Sequence, residues 1–274
     1  MNRKDLIGLG VAGNFAQHLE QAGEANDFKS VVTGEKQPKA IFPFYVPSEK
    51  SGFLSVYPLT HSITQIPPTG GNLQMEPEVG ILFDIIYENN LVVGLKPQSF
   101  GAYNDCSIRR PNAKKISEKK NWGAGSKGIA EHMLKLDSLA PGCSLDDFRI
   151  ASFLKRGEAC HAYGVDSPVI GYNYFHEELL AWIIERMNHQ PDMGPMEKIS
   201  MHLANANYPS QALVSIGATS YTDFGESHYL EEGDITVVCV YDGTLYSEAQ
   251  IYDMGCKGIF PTEGMSVLMQ KVTQ

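Results

Sequence analysis

Two glutamates stand two positions apart in the segment QMEPEVGILFD, at the start of an apolar run. If residues 76–83 form a strand, Glu76 and Glu78 point to the same side of it, because side chains alternate along a strand. Two carboxylates at that distance repel each other and raise at least one pKa, unless a cation lies between them. Oxygen ligands favour Mg²⁺ or Mn²⁺ as this cation, with Ca²⁺ as a further candidate.

Two further polar side chains follow in the segment GAYNDCSIRR. Asp105 offers a third oxygen ligand to a metal, and Arg109 places a cation nearby. The alternative is structural: both glutamates face solvent at a sheet edge, and Asp105 caps a turn. The E-x-E spacing does not by itself decide between a metal site and this alternative.

A second motif, GLGVAG, places Gly8, Gly10 and Gly13 in the G-x-G-x-x-G spacing of dinucleotide-binding turns. It precedes a predicted helix, NFAQHLEQAGEA, and Glu35 follows at about the position of a ribose-binding acid. These features support a nicotinamide-dependent oxidoreductase as an alternative function. The fold that binds dinucleotides needs strands that alternate with helices, whereas residues 38–110 predict strands and prolines but no helix.

The spacing of apolar residues predicts more strands than helices. The runs EVGILFDIIY and LVVGLK, joined by ENN, indicate a β-hairpin. HEELLAWIIERMNHQ has apolar residues at helical spacing and is the clearest predicted helix, and GIAEHMLKLDSL is predicted as a short one. Residues 38–75 are rich in proline and glycine, which indicates loops and short strands. Further strands are predicted at LIGLG, FRIASFLKRG, EACHAYG, QALVSIG, DITVVCVYDG and TLYSEAQIY.

The composition limits the classes of function. The 274 residues carry a formal net charge of -10, which argues against nucleic-acid binding through a broad basic face. The basic run KKISEKK at 114–120 contains its own glutamate and is predicted as a solvated loop. No apolar run approaches the roughly 20 residues of a membrane span. The lack of a C-x-x-C pair argues against a zinc knuckle, and an odd count of five cysteines without a signal peptide predicts reduced thiols. These observations together predict a soluble, cytoplasmic protein.

Several motifs together resemble the fumarylacetoacetate hydrolase (FAH) superfamily. Its members carry N-x-x-x-H near the N-terminus, then E-x-E, then N-D with an arginine four residues beyond the aspartate, a later lysine, and a Gly-Thr turn before an L-x-x-G-D strand. The chain has corresponding residues in the same order: Asn14 and His18, Glu76 and Glu78, Asn104 with Asp105 and Arg109, Lys127 after Trp122, the turn IGATSYTDFG with Thr219, and LEEGD at 230–234.

The resemblance implies an α+β fold that is mainly β, a mixed β roll resembling a barrel with helices packed on the outside. It implies a single domain over residues 1–274, with a helix-bearing segment over about 1–50, and a homodimer. Residues 190–210 are a candidate insertion. In this interpretation GLGVAG bends the chain before the helix that carries His18, and it binds no cofactor.

The resemblance also implies a chemistry. Glu76, Glu78 and Asp105 would hold Mg²⁺ or Mn²⁺, and the metal would chelate a small keto acid and stabilise its enolate as a Lewis acid. Lys127 would add a second positive centre beside the enolate. Members of the superfamily cleave carbon–carbon bonds by hydrolysis, decarboxylate β-keto acids, or tautomerise related acids, and all of these reactions pass through an enolate.

The remaining predicted site residues act on protons or on the substrate. His18 is the candidate general base, because its ordinary pKa is near neutrality; the alternative is a surface histidine on an amphipathic helix. Arg109 would pair with a substrate carboxylate or support Asp105, and Thr219 would offer a hydroxyl. Gln21 stands where hydrolytic members have a glutamate, three residues after the histidine.

The chain departs from the superfamily pattern at its substrate end. Gln21 can orient an imidazole but cannot stabilise its charged form as a carboxylate would. The late turn reads G-A-T in place of G-T-P, and Gly128 and Ile129 replace the Phe-Asp that usually follows the lysine. Hydrolysis, decarboxylation and isomerisation therefore stay open, as does a non-catalytic relative that binds a metal or a ligand.

Overall fold

The computed structural model describes residues 3–15, 21–23, 34, 36–110 and 113–274. Its strands are β1 (Ile7–Ala12), β2 (Ala40–Tyr45), β3 (Leu59–Thr60), β4 (Ile63–Gln65), β5 (Asn72–Gln74), β6 (Pro77–Glu88), β7 (Leu91–Asn104), β8 (Ser107–Arg109), β9 (Lys127–Ile129), β10 (Leu134–Lys135), β11 (Phe148–Arg156), β12 (Ala159–Pro168), β13 (Gln211–Ser215), β14 (Ile235–Asp242) and β15 (Met265–Thr273). Its α-helices are α1 (His176–His189), α2 (Ile199–Asn205), α3 (Asp223–Ser227) and α4 (Glu248–Lys257). Short 3-10 helices cover Arg3–Asp5, Glu49–Ser55, Ile116–Lys119, Ser144–Asp147 and Val169–Gly171.

The strands of the described residues form two large sheets and one small one. The first has the order β2-β1-β13-β6-β7-β9-β3, with β10 also paired to β7, and the second has the order β12-β11-β14-β15-β4. Strands β1 and β13 pair in parallel, as do β3 with β9 and β4 with β15, whereas the other pairs are antiparallel. Strands β14 and β15 contact β7, so the two sheets share one core.

The long hairpin β6–β7 is the frame of the first sheet. Its turn residues Asn89 and Asn90 have φ values of 51° and 66°, the left-handed conformation that a two-residue hairpin turn requires. The predicted ENN hairpin is therefore confirmed. Its register pairs Glu78 with Tyr103 and Pro77 with Asn104, so the E-x-E end of β6 lies beside the N-D end of β7.

Helix α1 forms as the apolar spacing predicts, and it contacts β7 and β2. The side chains that it buries are Leu179, Trp182, Ile183 and Met187. Because these recur every three or four residues, they form one apolar face that packs on the outside of the sheet. The prediction of a mainly β, α+β fold with helices on the outside is confirmed.

The opening glycines lie in a strand and not in a phosphate-binding turn. Gly8 and Gly10 belong to β1, where an added Cβ would lie 2.2 Å from the ring of Phe44 and 2.3 Å from that of Phe42. Glycine is needed at these positions because the two rings occupy the space of a side chain. Only Gly13, with φ of 74°, turns the chain after the strand.

Two predicted elements are wrong. GIAEHMLKLDSL contains the end of β9 and the short strand β10 but no helix, because its residues pair with β7 instead of presenting an amphipathic face. TLYSEAQIY is predicted as a strand, but Glu248–Lys257 is the helix α4. Ser247 and Gln250 form a capping box there, and the S-x-x-Q spacing is the signal that the strand prediction overlooked.

The cysteines correct a further expectation. Cys160 of β12 and Cys256 of α4 form a disulfide, so the prediction of five reduced thiols is wrong. The two residues are 96 positions apart and become neighbours only because α4 packs on the second sheet. The other cysteines of the described chain are free thiols at Cys106, Cys143 and Cys239. No helix in the described part of the chain is long and apolar enough to cross a membrane.

Candidate functional site

Three carboxylates converge at one end of the β6–β7 hairpin. Glu76, Glu78 and Asp105 are only 3%, 2% and 0% exposed, and each offers an oxygen within 4.8 Å of the other two. The hairpin brings them together, because the backbone N–H of Asp105 donates a 2.9 Å hydrogen bond to the carbonyl of Glu76. The alternative interpretation, in which the glutamates face solvent at an edge, is wrong.

Lys120 bridges two members of this group, which we name the carboxylate cluster (Glu76, Glu78 and Asp105). Its Nζ is 2.6 Å from Oε2 of Glu76, 2.6 Å from Oδ2 of Asp105 and 2.6 Å from Oγ of Ser107. The ammonium also lies 5.1 Å from the ring centroid of Phe42, a distance typical of a cation–π contact. Two of the three carboxylates are therefore bridged by a cation of the chain itself.

Lys120 is not among the site residues predicted from the sequence, because the run KKISEKK is typical of a solvated loop. The run instead forms a 3-10 turn over Ile116–Lys119, in which Ile116 is buried, and Lys120 is 3% exposed. Asn121 anchors the end of the turn by donating hydrogen bonds to the carbonyls of Phe44 and Val56. The apolar Ile116 inside the run and the NW pair after it are the signals that could have indicated burial.

The predicted cations Lys127 and Arg109 flank the carboxylate cluster on two sides. Nζ of Lys127 lies 3.5 Å from Oδ1 of Asp105 and donates to the carbonyl of Cys106. Its charge also lies 5.3 Å from the ring centroid of Trp122. Burial lowers the pKa of Lys127, and the charge of Asp105 opposes this effect.

Arg109 contacts three partners among the described residues. Nη2 lies 2.7 Å from Oε1 of Glu76 and donates a 2.9 Å hydrogen bond to the hydroxyl of Tyr221, while Nε donates a 2.7 Å hydrogen bond to Oε1 of Gln74. The guanidinium therefore orients Glu76 and not Asp105. This arrangement uses the fixed fork of the group, which a lysine could not reproduce.

The burial of so many charges shifts their pKa values. Burial raises the pKa of Glu78 well above its ordinary value, and repulsion from Asp105 and Glu76 adds to the effect. Burial also raises the pKa of Asp105, while the charges of Lys120 and Lys127 lower it. The carboxylate cluster thus contains strong repulsion that the neighbouring cations offset only in part.

The turn with the sequence G-A-T closes the site from the side of β13. Gly217 has φ of 116°, and its N–H donates a 2.9 Å hydrogen bond to Oε2 of Glu78. The hydroxyl of Tyr172 donates to the carbonyl of Gly217 at 2.6 Å and so fixes this turn. Thr219 is buried, and its N–H donates to the carbonyl of Pro77 at 3.3 Å. The turn therefore runs beside the E-x-E segment.

The N-terminal motif contributes Asn14 and Gln21 among the described residues, and His18 lies outside them. Asn14 is buried and donates hydrogen bonds to the carbonyls of Ile216 and Tyr174. Gln21 accepts from the N–H of Tyr221 at 2.8 Å and donates to the carbonyl of the same residue at 3.2 Å. Asn14 is thus tied to the residue before the G-A-T turn, and Gln21 is tied to the segment after it. The predicted role of His18 as general base stays a prediction.

A small cavity adjoins the carboxylate cluster. Its free volume is about 20 Å³, which is the space of one water molecule or one metal ion. The residues that line it are Val11, Ala12, Gly13, Phe42, Glu76, Glu78, Asp105, Ile116, Lys120 and Ala218. Strand β1 and the G-A-T turn therefore meet the carboxylates at one place.

The donor set of the carboxylate cluster fits a hard divalent cation. Three carboxylate oxygens within 4.8 Å of one another are the ligands that Mg²⁺, Mn²⁺ and Ca²⁺ prefer. The structure brings Glu76, Glu78 and Asp105 together, as the sequence predicted for metal ligands. It also places Lys120 beside them, a position that the sequence pattern does not indicate.

Solved structures with this fold include several enzymes. One is a 5-carboxymethyl-2-hydroxymuconate delta-isomerase from Mycobacterium smegmatis, with 12% identity and a TM-score of 0.53 over 97% of this chain and 78% of that one. Another is a 2-keto-3-deoxyarabinonate dehydratase, with 11% identity and a TM-score of 0.53 over 97% and 72% of the two chains. A protein from Oleispira antarctica provisionally assigned as a fumarylacetoacetate isomerase/hydrolase has 11% identity and a TM-score of 0.53, over 99% and 95%.

At these identities the likeness concerns the fold, and it confirms the predicted resemblance to the FAH superfamily at that level. No curated protein matches the chain in sequence. Residues 24–272 match a family described as "Family of unknown function (DUF5718)". Because this match covers most of the sequence, the chain belongs to the DUF5718 family, and its fold is that of the FAH superfamily.

Proposed function

We propose that this protein is an enzyme that converts a small keto acid through an enolate formed at the carboxylate cluster. The observation that carries the proposal is the burial of three converging carboxylates with Lys120, Lys127 and Arg109 around them. Such charge concentration is costly to bury, and it is typical of sites that stabilise charge during a reaction. The candidate reactions are carbon–carbon bond hydrolysis, decarboxylation and tautomerisation.

The cofactor that we propose is Mg²⁺ or Mn²⁺, held by Glu76, Glu78 and Asp105. Such an ion supplies a Lewis acid for the adjacent oxygens of a keto acid. The ligand set and the FAH-type fold support this proposal. The homodimer and the single domain remain predictions from the same resemblance. The cytoplasmic location is a prediction from the cysteine count and the lack of a long apolar run.

The chain's own residues provide the remaining functions. Lys127 provides a positive charge beside Asp105, where it stabilises negative charge that develops on a substrate oxygen. Arg109 holds Glu76, and Gly217 holds Glu78, so each glutamate has a fixed orientation. His18 is proposed as the base that moves the substrate proton, with Gln21 fixed to the Tyr221 backbone as its neighbour in sequence.

The test uses oxaloacetate as a probe substrate and oxalate as a mimic of a chelating enolate. We expect Mn²⁺-loaded protein to accelerate enolisation or decarboxylation of oxaloacetate, as followed by ultraviolet absorbance, and oxalate to inhibit it. Lys127→Met should abolish the reaction, whereas Lys271→Met, at an exposed position of β15, should leave it unchanged. Unaltered turnover in Lys127→Met would remove Lys127 from the site.

The same protein preparations distinguish the proposed enzyme from the two alternative functions. Binding of Mn²⁺ and oxalate without turnover of any keto acid in a panel favours the non-catalytic relative. A saturable change in NADH fluorescence on titration favours the nicotinamide-dependent oxidoreductase. The packing of Gly8 and Gly10 against aromatic rings argues against that second outcome.

A further inference from the structure

The position of Lys120 conflicts with a metal in the same site. Its Nζ lies 2.6 Å from Oε2 of Glu76 and 2.6 Å from Oδ2 of Asp105. A divalent ion bound by these oxygens would lie about 2.0–2.6 Å from each of them. The ammonium therefore uses the oxygens, and the space next to them, that a metal would need.

The balance of charge leads to the same conclusion. Among the described residues, the carboxylate cluster carries three negative charges when ionised, and Lys120, Lys127 and Arg109 carry three positive ones. A divalent ion added to this arrangement would place two further positive charges beside the ammonium of Lys120, at a site whose carboxylates are at most 3% exposed. Uncompensated charge in the interior is strongly unfavourable, so the ion and the ammonium oppose each other.

The surroundings of Lys120 show that its present position is well supported. Ser107 accepts from Nζ at 2.6 Å, and the ring of Phe42 lies beneath the ammonium. The adjoining cavity, about 20 Å³, is lined by Lys120 together with all three carboxylates, so an ion held there would lie directly beside the ammonium. Loading of the site therefore requires the Lys120 side chain to move away from Asp105 and Glu76.

We propose that Lys120 and the divalent cation are alternative occupants of the carboxylate cluster. The inference rests on the metal site of the proposed function. Lys120 forms ion pairs with Glu76 and Asp105 in the metal-free protein and competes with the ion for these two carboxylates. Metal affinity is therefore lower than three carboxylates alone would give, and metal binding releases Lys120 from its buried position.

The first experiment measures Mn²⁺ affinity from the electron paramagnetic resonance signal of free Mn²⁺. We expect Lys120→Met to bind Mn²⁺ at least tenfold more tightly than the wild-type protein. Lys114→Met is the matched control, because Lys114 belongs to the same basic run but is exposed, and it should keep the wild-type affinity. The double variant Lys120→Met with Glu78→Gln should lose the gain, which shows that the ion occupies the carboxylate cluster.

The second experiment uses the wild-type protein and does not depend on the folding of a variant. An amine-acetylating reagent followed by mass spectrometry should modify Lys120 slowly without metal and at least fivefold faster with saturating Mn²⁺. Lys127, which is 1% exposed, serves as the internal comparison and should stay protected in both states.

The outcomes distinguish the inference from the proposed function. Equal Mn²⁺ affinity in Lys120→Met and wild type, or unchanged labelling of Lys120 when Mn²⁺ is bound, overturns the competition and leaves the metal site standing. Failure of the wild type and of every folded variant to bind Mn²⁺ overturns the metal site itself, and the competition with it. Tighter Mn²⁺ binding in Lys120→Met that is lost when Glu78→Gln is added supports both the competition and the metal site.

Discussion

The N–H of Gly217 donates a 2.9 Å hydrogen bond to Oε2 of Glu78, and this contact joins two segments that are 139 positions apart. Gly217 can point its N–H toward the carboxylate because its φ of 116° is accessible to glycine. Strand β13, which precedes the turn, pairs with β6, which carries Glu78. The sheet therefore sets the distance, and the glycine sets the direction of the donor.

Glu78→Gln should separate binding from stability. Glutamine keeps a side-chain oxygen that can accept the hydrogen bond from the N–H of Gly217. It removes a buried carboxyl group whose pKa is raised by burial and by the charge of Asp105. We expect at least a tenfold loss of Mn²⁺ affinity in calorimetry, with a thermal unfolding midpoint that does not fall. An unchanged Mn²⁺ affinity would contradict the assignment of Glu78 as a ligand.

Arg109→Met should destabilise the protein by about 3–5 kcal/mol, because Glu76 loses a buried partner at 2.7 Å. Arg109→Lys should recover little of this loss, since lysine cannot contact Gln74 and Tyr221 together with Glu76. Tyr221→Phe is the comparison and should cost about 1 kcal/mol, the value of one hydrogen bond. Urea unfolding measures the free energy of unfolding of all three variants. A loss below about 1 kcal/mol in Arg109→Met would show that the ion pair with Glu76 does not stabilise the site.

Glu197 should make the stability of the protein depend on pH. Burial raises its pKa from 4.5 to about 7. The folded protein then binds more protons than the unfolded chain between about pH 4.5 and 7, so stability falls as the pH rises through this interval. The full penalty, about 3 kcal/mol, is present above pH 7.

Glu197→Gln should remove this penalty. We expect the free energy of unfolding of the variant to exceed that of the wild type by an amount that grows from pH 4 to pH 8. Urea unfolding at each pH measures this difference. Glu158→Gln, at an exposed position, should leave the pH profile unchanged. Parallel profiles for Glu197→Gln and wild type would show that Glu197 ionises normally in the folded state.

Gly10→Ala should destabilise the protein by about 1–3 kcal/mol, because the new methyl group would meet the ring of Phe42 at 2.3 Å. Phe42→Leu in the same chain should recover part of the loss by making room. A double-mutant cycle from thermal unfolding measures this coupling. Additive effects of the two substitutions would mean that the ring is not the reason for the glycine.

Replacement of Cys160 and Cys256 by serine should lower the free energy of unfolding by about 2–4 kcal/mol, since the disulfide closes a loop of 96 residues. Thiol titration of the denatured, unreduced protein should find Cys106, Cys143 and Cys239 free. A titration that finds all five thiols would restore the expectation of a reduced protein.

Local patterns were sufficient for the elements that depend on neighbours in sequence. The ENN turn predicts the β6–β7 hairpin because left-handed residues between two apolar runs favour that turn, and the spacing of Leu179, Ile183 and Met187 predicts α1. The E-x-E spacing and the hairpin register together explain why Glu76, Glu78 and Asp105 converge. The same patterns failed for α4, where the capping signal was weaker than the β-branched and aromatic composition.

The sequence by itself indicated the strands and the main helix, and its resemblance to the FAH superfamily indicated the α+β class and grouped Glu76, Glu78 and Asp105 with Lys127, beside a nearby Arg109. Only the tertiary structure decided that Lys120 enters the carboxylate cluster and that Cys160 meets Cys256. The physical reason is that burial depends on contacts between distant segments. A lysine in a basic run is solvated in isolation, and it becomes a buried counter-ion only where the fold places Glu76, Asp105 and Phe42 around it.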